Sequence, residues 1–160
     1  MITTISFAQV STIRMNDFRL GDEISDVEKL IGKTINLNLE NGYQSEPGYV
    51  IYKGVVYEVY FYPTYDDNGR VDDLTLYSIR SKDKTLKTTS GIKIGSTFDE
   101  LLSKFKNYNI EINDSWDDNG IRTKTERLFK INDSDSGTYL LFTLKDEKVI
   151  EFYISYNEGC

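Results

Sequence analysis

Two acidic stretches carry the residue types best suited to bind a metal ion. Residues 66–73 and 114–120 both contain the string Asp-Asp-Asn-Gly, and carboxylate and amide oxygens are ligands that calcium prefers. Neither stretch has the full spacing of a calcium loop with its closing glutamate. Because Asn-Gly is also a leading signal for a tight turn between strands, the pattern favours two loop turns. We therefore expect no metal and no cofactor.

Nucleophilic chemistry finds little support in the composition. The 160 residues include no histidine, and the single cysteine is Cys160. A serine or cysteine nucleophile would have no histidine base, and neither a thiolate zinc site nor a disulfide within the chain can form. With 26 acidic residues some carboxylate pair falls at a usable distance, but nothing in the sequence singles one out. We expect a protein that is not an enzyme.

The charge balance limits the class of partner. Nineteen basic residues against 26 acidic ones give a net charge of -7, which disfavours direct contact with nucleic acid or anionic lipid. A basic macromolecular partner fits better. Residues 1–10 lack the features of an export signal, and no later stretch reaches membrane-spanning length. We expect a cytoplasmic protein without membrane contact, and the oligomeric state stays open.

An internal repeat organises the chain. Residues 20–32 and 94–106 align with Gly21 on Gly95, and each segment has the apolar stripe of a short helix. The alignment pairs Leu20 with Ile94, Ile24 with Phe98, Val27 with Leu101, and Ile31 with Phe105.

Hydroxyl and carboxylate side chains mark the expected helix starts. Ser25 with Glu28, and Thr97 with Glu100, have the spacing of a capping box. The two boxes are offset by two positions in the alignment, so they do not mark equivalent helix starts.

Strand-like segments follow each predicted helix. They are rich in β-branched and aromatic residues and comprise residues 49–53, 55–62 and 71–79, then 125–131, 138–144 and 149–156. Residues 2–10 and 34–39 are weaker strand candidates, and residues 81–90 have the polar composition of a connection.

These elements predict an α+β fold. We expect a single domain over residues 1–160, with internal repeats at about 12–80 and 91–156. Each repeat would contribute a helix and antiparallel strands, which form one sheet or two abutting sheets with the helices on one face.

The repeat resembles a known arrangement. An apolar residue and a glycine, as in Leu20-Gly21 and Ile94-Gly95, precede polar residues, a capped short helix and antiparallel strands. This pattern resembles the repeat shared by β-lactamase inhibitor proteins and small outer-membrane assembly lipoproteins. The chain also resembles small cytoplasmic immunity proteins of bacterial toxin systems, including contact-dependent growth inhibition. These resemblances imply protein–protein inhibition rather than catalysis.

Strand alternation separates a buried face from an open one. The open face is predicted to gather Glu58, Tyr60, Tyr62, Tyr77, Tyr139, Glu151 and Tyr153. The same alternation predicts that Ile79 points outward and that Ile150 points inward. Tyrosines suit a protein-binding surface and carboxylates select a basic partner. Tyrosine also simply suits strands, but its coincidence with acidic residues on one face favours binding.

Trp116 is the most distinctive residue of the predicted loops. It lies among Asp114, Asp117 and Asp118. As a binding residue it would be an aromatic anchor surrounded by charges that attract a basic partner. As a structural residue it would close the edge of the core beneath a loop.

Together these features predict a cytoplasmic immunity or inhibitor protein. It would occupy the active site or substrate-binding surface of a cognate toxin, such as a basic nuclease, without a cofactor. The alternatives are a structural module of the outer-membrane lipoprotein type and a carboxylate-dependent enzyme.

Overall fold

The computed structural model describes residues 9–117 and 119–157. In this part of the chain strands account for 53% and helices for only 11%. The predicted α+β class with helices on one face is therefore wrong, because the protein is mostly β. Neither of its described helices is long and apolar enough to cross a membrane.

The elements alternate between long strands and very short ones. The helices are α1 (Ile24–Ile31) and α2 (Phe98–Phe105). The strands are β1 (Gln9–Val10), β2 (Arg14–Met15), β3 (Phe18–Arg19), β4 (Leu39–Glu40), β5 (Tyr43–Gln44), β6 (Gly48–Tyr52), β7 (Val55–Tyr65), β8 (Val71–Ser81), β9 (Lys87–Thr88), β10 (Asn109–Trp116), β11 (Arg122–Asp133), β12 (Thr138–Lys145) and β13 (Lys148–Tyr156).

Seven antiparallel strands form the large sheet, in the order β10-β11-β12-β13-β8-β7-β6. The last strand of each half of the chain, β8 or β13, lies at its centre. Their ladder is short and joins residues 78–81 to residues 152–155. The sheet edges are β10 and β6.

One face of the large sheet is covered by both helices and by a small four-stranded sheet of order β3-β2-β1-β9. Phe18 of the small sheet meets Tyr57 of β7 edge-on, with ring centroids 4.9 Å apart. Phe98 and Phe105 of α2 contact Phe129 of β11.

The small sheet explains why the predicted fold class failed. Its strands are two residues long, too short for a repeating pattern of apolar residues. The predicted connection over residues 81–90 contains one of them, β9, and the buried Leu86. Of the weak strand candidate at residues 2–10 only β1 is seen, since residues 1–8 lie outside the described residues.

The helix prediction is confirmed at the apolar stripe. Val27, Leu101 and Phe105 are buried, and Ile24, Ile31 and Phe98 pack against the same core. Thr97 caps α2 in a complete capping box with Glu100. The Ser25 cap is wrong, because α1 begins at Ile24 with Glu23 as its N-cap. The Glu28 carboxylate instead accepts the backbone N–H of Ile35 at 2.8 Å.

The aligned glycines perform the same task in each half of the chain. Gly21 N–H donates to the Leu76 carbonyl of β8 at 2.8 Å, and Gly95 N–H donates to the Val149 carbonyl of β13 at 2.7 Å. Their φ angles of 90° and 92° lie in the left-handed region that favours glycine. This shared geometry fixes each helix against the central strand of its own half.

Two β-bulges shift the alternation of the central strands. The register between β7 and β8 changes between Tyr60 and Phe61, and that between β12 and β13 changes between Thr143 and Leu144. The outward prediction for Ile79 is wrong, since this residue is fully buried opposite Val59. Val149 rather than Ile150 takes the inward position opposite Leu144.

Candidate functional site

The outer face is the side of the large sheet turned away from the helices and the small sheet. All seven residues predicted for the open face belong to strands of this sheet. Ladder partners place six of them on the outer face, and the ring of Tyr77 stacks there on that of Tyr62. The seven residues are Glu58, Tyr60, Tyr62, Tyr77, Tyr139, Glu151 and Tyr153. The exposed Tyr49, Ile51 and Val56 lie on the same face. The face therefore carries a large aromatic and apolar area.

Directly paired residues form one line across all seven strands. This central row consists of Tyr49, Glu58, Arg80, Tyr153, Leu141, Lys130 and Glu111, in the order of the strands from β6 to β10. Within the row, Tyr153 and Leu141 lie between the cations Arg80 and Lys130. The carboxylates of Glu58 and Glu111 lie beyond these cations, one on each side. Directly opposite side chains in a sheet contact one another, so the row is a connected set.

Arg80 is the centre of the charge contacts. Its Nη1 lies 3.7 Å from Oε1 of Glu58, and its Nε lies 3.6 Å from Oε1 of Glu151. Lys82 Nζ lies 3.5 Å from Oε2 of Glu151, and the Thr143 hydroxyl donates to Oε1 at 3.2 Å. Both carboxylates predicted to attract a partner therefore have cations of this chain beside them.

The tyrosine rings of the central region are held by cations and by each other. The Arg80 guanidinium carbon lies 4.9 Å from the centroid of the Tyr153 ring, and Lys130 Nζ lies 4.6 Å from that of Tyr139. The two rings meet edge-on with centroids 5.9 Å apart. Cation–π contacts of this kind fix ring orientation as well as adding attraction.

A second line of rings runs along one end of the outer face. This tyrosine row contains Tyr43, Tyr62, Tyr77 and Tyr156, with successive centroids 5.7, 4.4 and 5.6 Å apart. Tyr156 ends the row and packs partly against the core. The Tyr62 and Tyr77 rings are stacked. Tyr60 lies between the two rows, and burial, with a smaller effect from the Glu58 charge, raises the pKa of its phenol.

Two shallow grooves lie on the outer face. One, of about 510 Å³, is lined by residues that include Tyr77, Tyr139, Tyr153 and Lys130. The other, of about 410 Å³, lies beside Glu58, Arg80 and Glu151. Tyr153 lines the first groove and Arg80 lines the second, so the ridge formed by these two paired residues lies between the grooves. The outer face is thus a contoured surface and not a deep pocket.

The tip of the β10–β11 hairpin, which carries Trp116, lies apart from the central row. Asp114 is paired with Arg127, whose guanidinium carbon lies 5.1 Å from the ring centroid of Phe98 on the covered side. Trp116 lies beyond a register shift that follows Asp114, is paired with Arg122 and is 64% exposed. Asp114 also forms an ion pair with Arg122 at 2.8 Å. The structure therefore does not bring Asp114, Trp116 and Asp117 together with the other predicted site residues, and Asp118 lies outside the described residues.

The first Asp-Asp-Asn-Gly string forms a turn at a hairpin tip, as predicted, and the described residues of the second string, Asp117, Asn119 and Gly120, do so as well. Oδ1 of Asp66 accepts the backbone N–H groups of Asn68 and Arg70, and Oδ1 of Asp117 accepts those of Asn119 and Ile121. These hydrogen bonds, led by the one from Arg70, lower the pKa of Asp66. Among the described residues no group of three or more His, Cys, Asp and Glu side chains could hold a metal ion.

Sequence reasoning missed the cations of the outer face. Arg80 follows the bulge in β8. The predicted alternation had Ile79 pointing outward, so it placed the neighbouring Arg80 side chain in the core. Lys130 and Glu111 alternate correctly with the apolar residues of β11 and β10, so their placement could have been found once β10 was recognised as a strand.

The chain matches no protein-family model, no curated protein and no solved structure.

Proposed function

We propose that the protein is an immunity or inhibitor protein that covers the functional surface of a cognate toxin domain with its outer face. The observation that carries this proposal is the central row, which spans the whole sheet on the side that the helices leave open. Occlusion of this kind requires no catalytic group and no cofactor in the inhibitor.

The fixed geometry of the rings supports binding by this face. Tyrosine supplies a large contact area, and tyrosine and arginine are enriched among residues that dominate binding energy. The rings of Tyr139 and Tyr153 contact each other, and the side chains of Arg80 and Lys130 lie over them. A surface that is ordered before binding loses less conformational entropy in the complex.

The charges of the protein favour a basic partner at long range. The net charge of -7 steers a positively charged protein towards this chain. At short range the outer face presents positive and negative charges side by side, because Glu58 and Glu151 both form ion pairs with Arg80. We propose that the partner presents apolar and hydrogen-bonding groups to the ridge of Arg80 and Tyr153, and basic side chains to its margins.

Co-expression tests the proposal. The candidate partner is a toxic domain encoded beside this gene, and the chain should restore growth and co-purify with that domain. Tyr153→Ala and Tyr139→Ala should each weaken the complex at least about tenfold, as expected for central contacts of an interface. Leu30→Ala on α1, an exposed apolar residue on the opposite side of the sheet, is the control. Failure to restore growth and to co-purify would reject the immunity function. Equal weakening of the complex by Leu30→Ala would reject the outer face as the binding surface.

A further inference from the structure

The two edges of the large sheet differ in how they are protected. Edge strands commonly avoid pairing with other molecules by being short or by carrying lysine, proline or a covering loop. At one edge β6 is only five residues long, follows Pro47 and precedes Lys53. At the opposite edge β10 is eight residues long and contains neither lysine nor proline. The free side of β10 pairs with no strand of the described chain.

Exposed apolar side chains follow the β10 edge. Tyr108 is 59% exposed, Ile112 44% and Trp116 64%. Tyr108 and Ile112 lie on the side of the sheet that faces α2, where Tyr108 contacts the ring of Phe105 and Ile112 is paired with Phe129. Trp116 follows four residues later on the same strand, after the register shift between β10 and β11. Such a line of apolar groups beside unpaired backbone is the feature that a further strand would cover.

The sequence of β10 is complementary to itself. In an antiparallel alignment with Ile112 on the twofold axis, Ile112 faces its own copy, Tyr108 faces Trp116, and Glu111 faces Asn113. Asp114 then faces Ile110, so no two like charges are opposite each other. Aromatic pairs and pairs of β-branched residues are favourable in this position, whereas opposed like charges are unfavourable.

We infer that β10 pairs with β10 of a second copy of this chain and forms a symmetric dimer with one continuous sheet. The backbone groups on the free edge of β10 would hydrogen-bond to those of the second copy, and Tyr108, Ile112 and Trp116 would lose their exposure. Antiparallel pairing keeps equivalent faces on the same side of the joined sheet. The dimer would therefore present two outer faces in one direction.

Sedimentation velocity of the full chain over a wide concentration range tests the dimer. We expect dimers, and we expect Ile112→Lys to raise the dissociation constant at least about tenfold, because two lysines would face each other on the axis. The matched control is Ile51→Lys on β6, whose isoleucine is 57% exposed, and it should leave the dimer unchanged. A chain that stays monomeric, or a dimer insensitive to Ile112→Lys, would overturn the inference.

Cysteine pairs test the register without depending on the stability of the lysine variant. In a Cys160→Ser background, Ile112→Cys should form a disulfide with its copy under mild oxidation, since directly opposite residues lie within roughly the 4.4–6.8 Å Cα separation that a disulfide needs. Tyr108→Cys and Trp116→Cys should cross-link when mixed but not alone. Cross-linking of Ile51→Cys without cross-linking of Ile112→Cys would show that the chains pair through β6, which would overturn the inference.

Discussion

Arg80 Nε lies 3.6 Å from Oε1 of Glu151, a residue that is only 8% exposed. This Nε is itself buried and donates no hydrogen bond to another described residue. Charge attraction therefore links the two side chains, and it places the guanidinium over the ring of Tyr153.

Removing Arg80 should destabilise the fold through Glu151. Loss of one partner of a buried pair commonly costs about 3–5 kcal/mol, but Lys82 still faces Glu151 and Arg80 is partly exposed, so we expect about 1–2 kcal/mol for Arg80→Met. Chemical unfolding of Arg80→Met, Glu151→Gln and the double variant gives the coupling energy. Additive effects of the two substitutions would show that the pair does not contribute.

Gln44 completes the β7 ladder where β6 ends. Its Oε1 accepts the backbone N–H of Phe61 at 2.8 Å, and its Nε2 donates to the carbonyl of Val59 at 3.0 Å. Gln44→Ala should lower the free energy of unfolding by about 1–3 kcal/mol, because the Phe61 N–H loses its acceptor. Gln44→Glu keeps that acceptor and should cost less in chemical unfolding. The exposed Gln9→Ala serves as the control, and equal losses for all three variants would contradict this role.

The two helices should respond oppositely to changes of their N-caps. Thr97→Ala removes a capping box and should cost about 1 kcal/mol in thermal or chemical unfolding. Glu23 makes no side-chain capping bond, so Glu23→Ser should stabilise α1 by up to about 1 kcal/mol. A loss of stability on Glu23→Ser would mean that the carboxylate beside the helix N-terminus matters more than a cap.

Acid should weaken the attachment of the small sheet to β11. Asp133 Oδ2 accepts the Thr12 hydroxyl at 2.8 Å, and this bond, followed by one from Ser136, lowers the pKa of Asp133. The unfolded chain therefore takes up the proton at a higher pH than the folded chain. The stabilisation is complete above the ordinary Asp pKa of 3.8 and is lost as the pH falls through the folded value.

Asp133→Asn should accordingly be less stable at neutral pH but lose less stability on acidification. Unfolding by urea at a series of pH values from about 7 down to about 2 measures both effects. Asp67→Asn, in the exposed β7–β8 turn, is the control. An acid response of Asp133→Asn identical to that of the unaltered chain would contradict the assignment.

The long strands and helices could be predicted because their side chains repeat with a regular period. Val55, Tyr57 and Val59 alternate into the core, and Val27 and Leu101 lie on helical stripes. The small sheet could not be predicted, since its two-residue strands gain their stability from contacts with distant residues such as Tyr57.

The candidate site was predicted in part for the same reason. Alternation grouped Glu58, Tyr60 and Tyr153, but a bulge adds one residue without a marker in the local sequence. Because of the bulge, Arg80 was not predicted to lie on the outer face. The separation of Trp116 from this group depends on the order of strands in the sheet, which the spacing along the chain does not determine.

The short ladder between β8 and β13 has a consequence for how the molecule opens. This seam covers only residues 78–81 and 152–155, whereas the neighbouring ladders extend over residues 58–65 of β7 and 138–145 of β12. Fewer backbone hydrogen bonds therefore cross the seam than cross either neighbouring ladder. Local opening at the seam should require less free energy than global unfolding. In native-state amide hydrogen exchange, β6–β8 and β11–β13 should then behave as two cooperative units, with the seam exchanging before either unit unfolds.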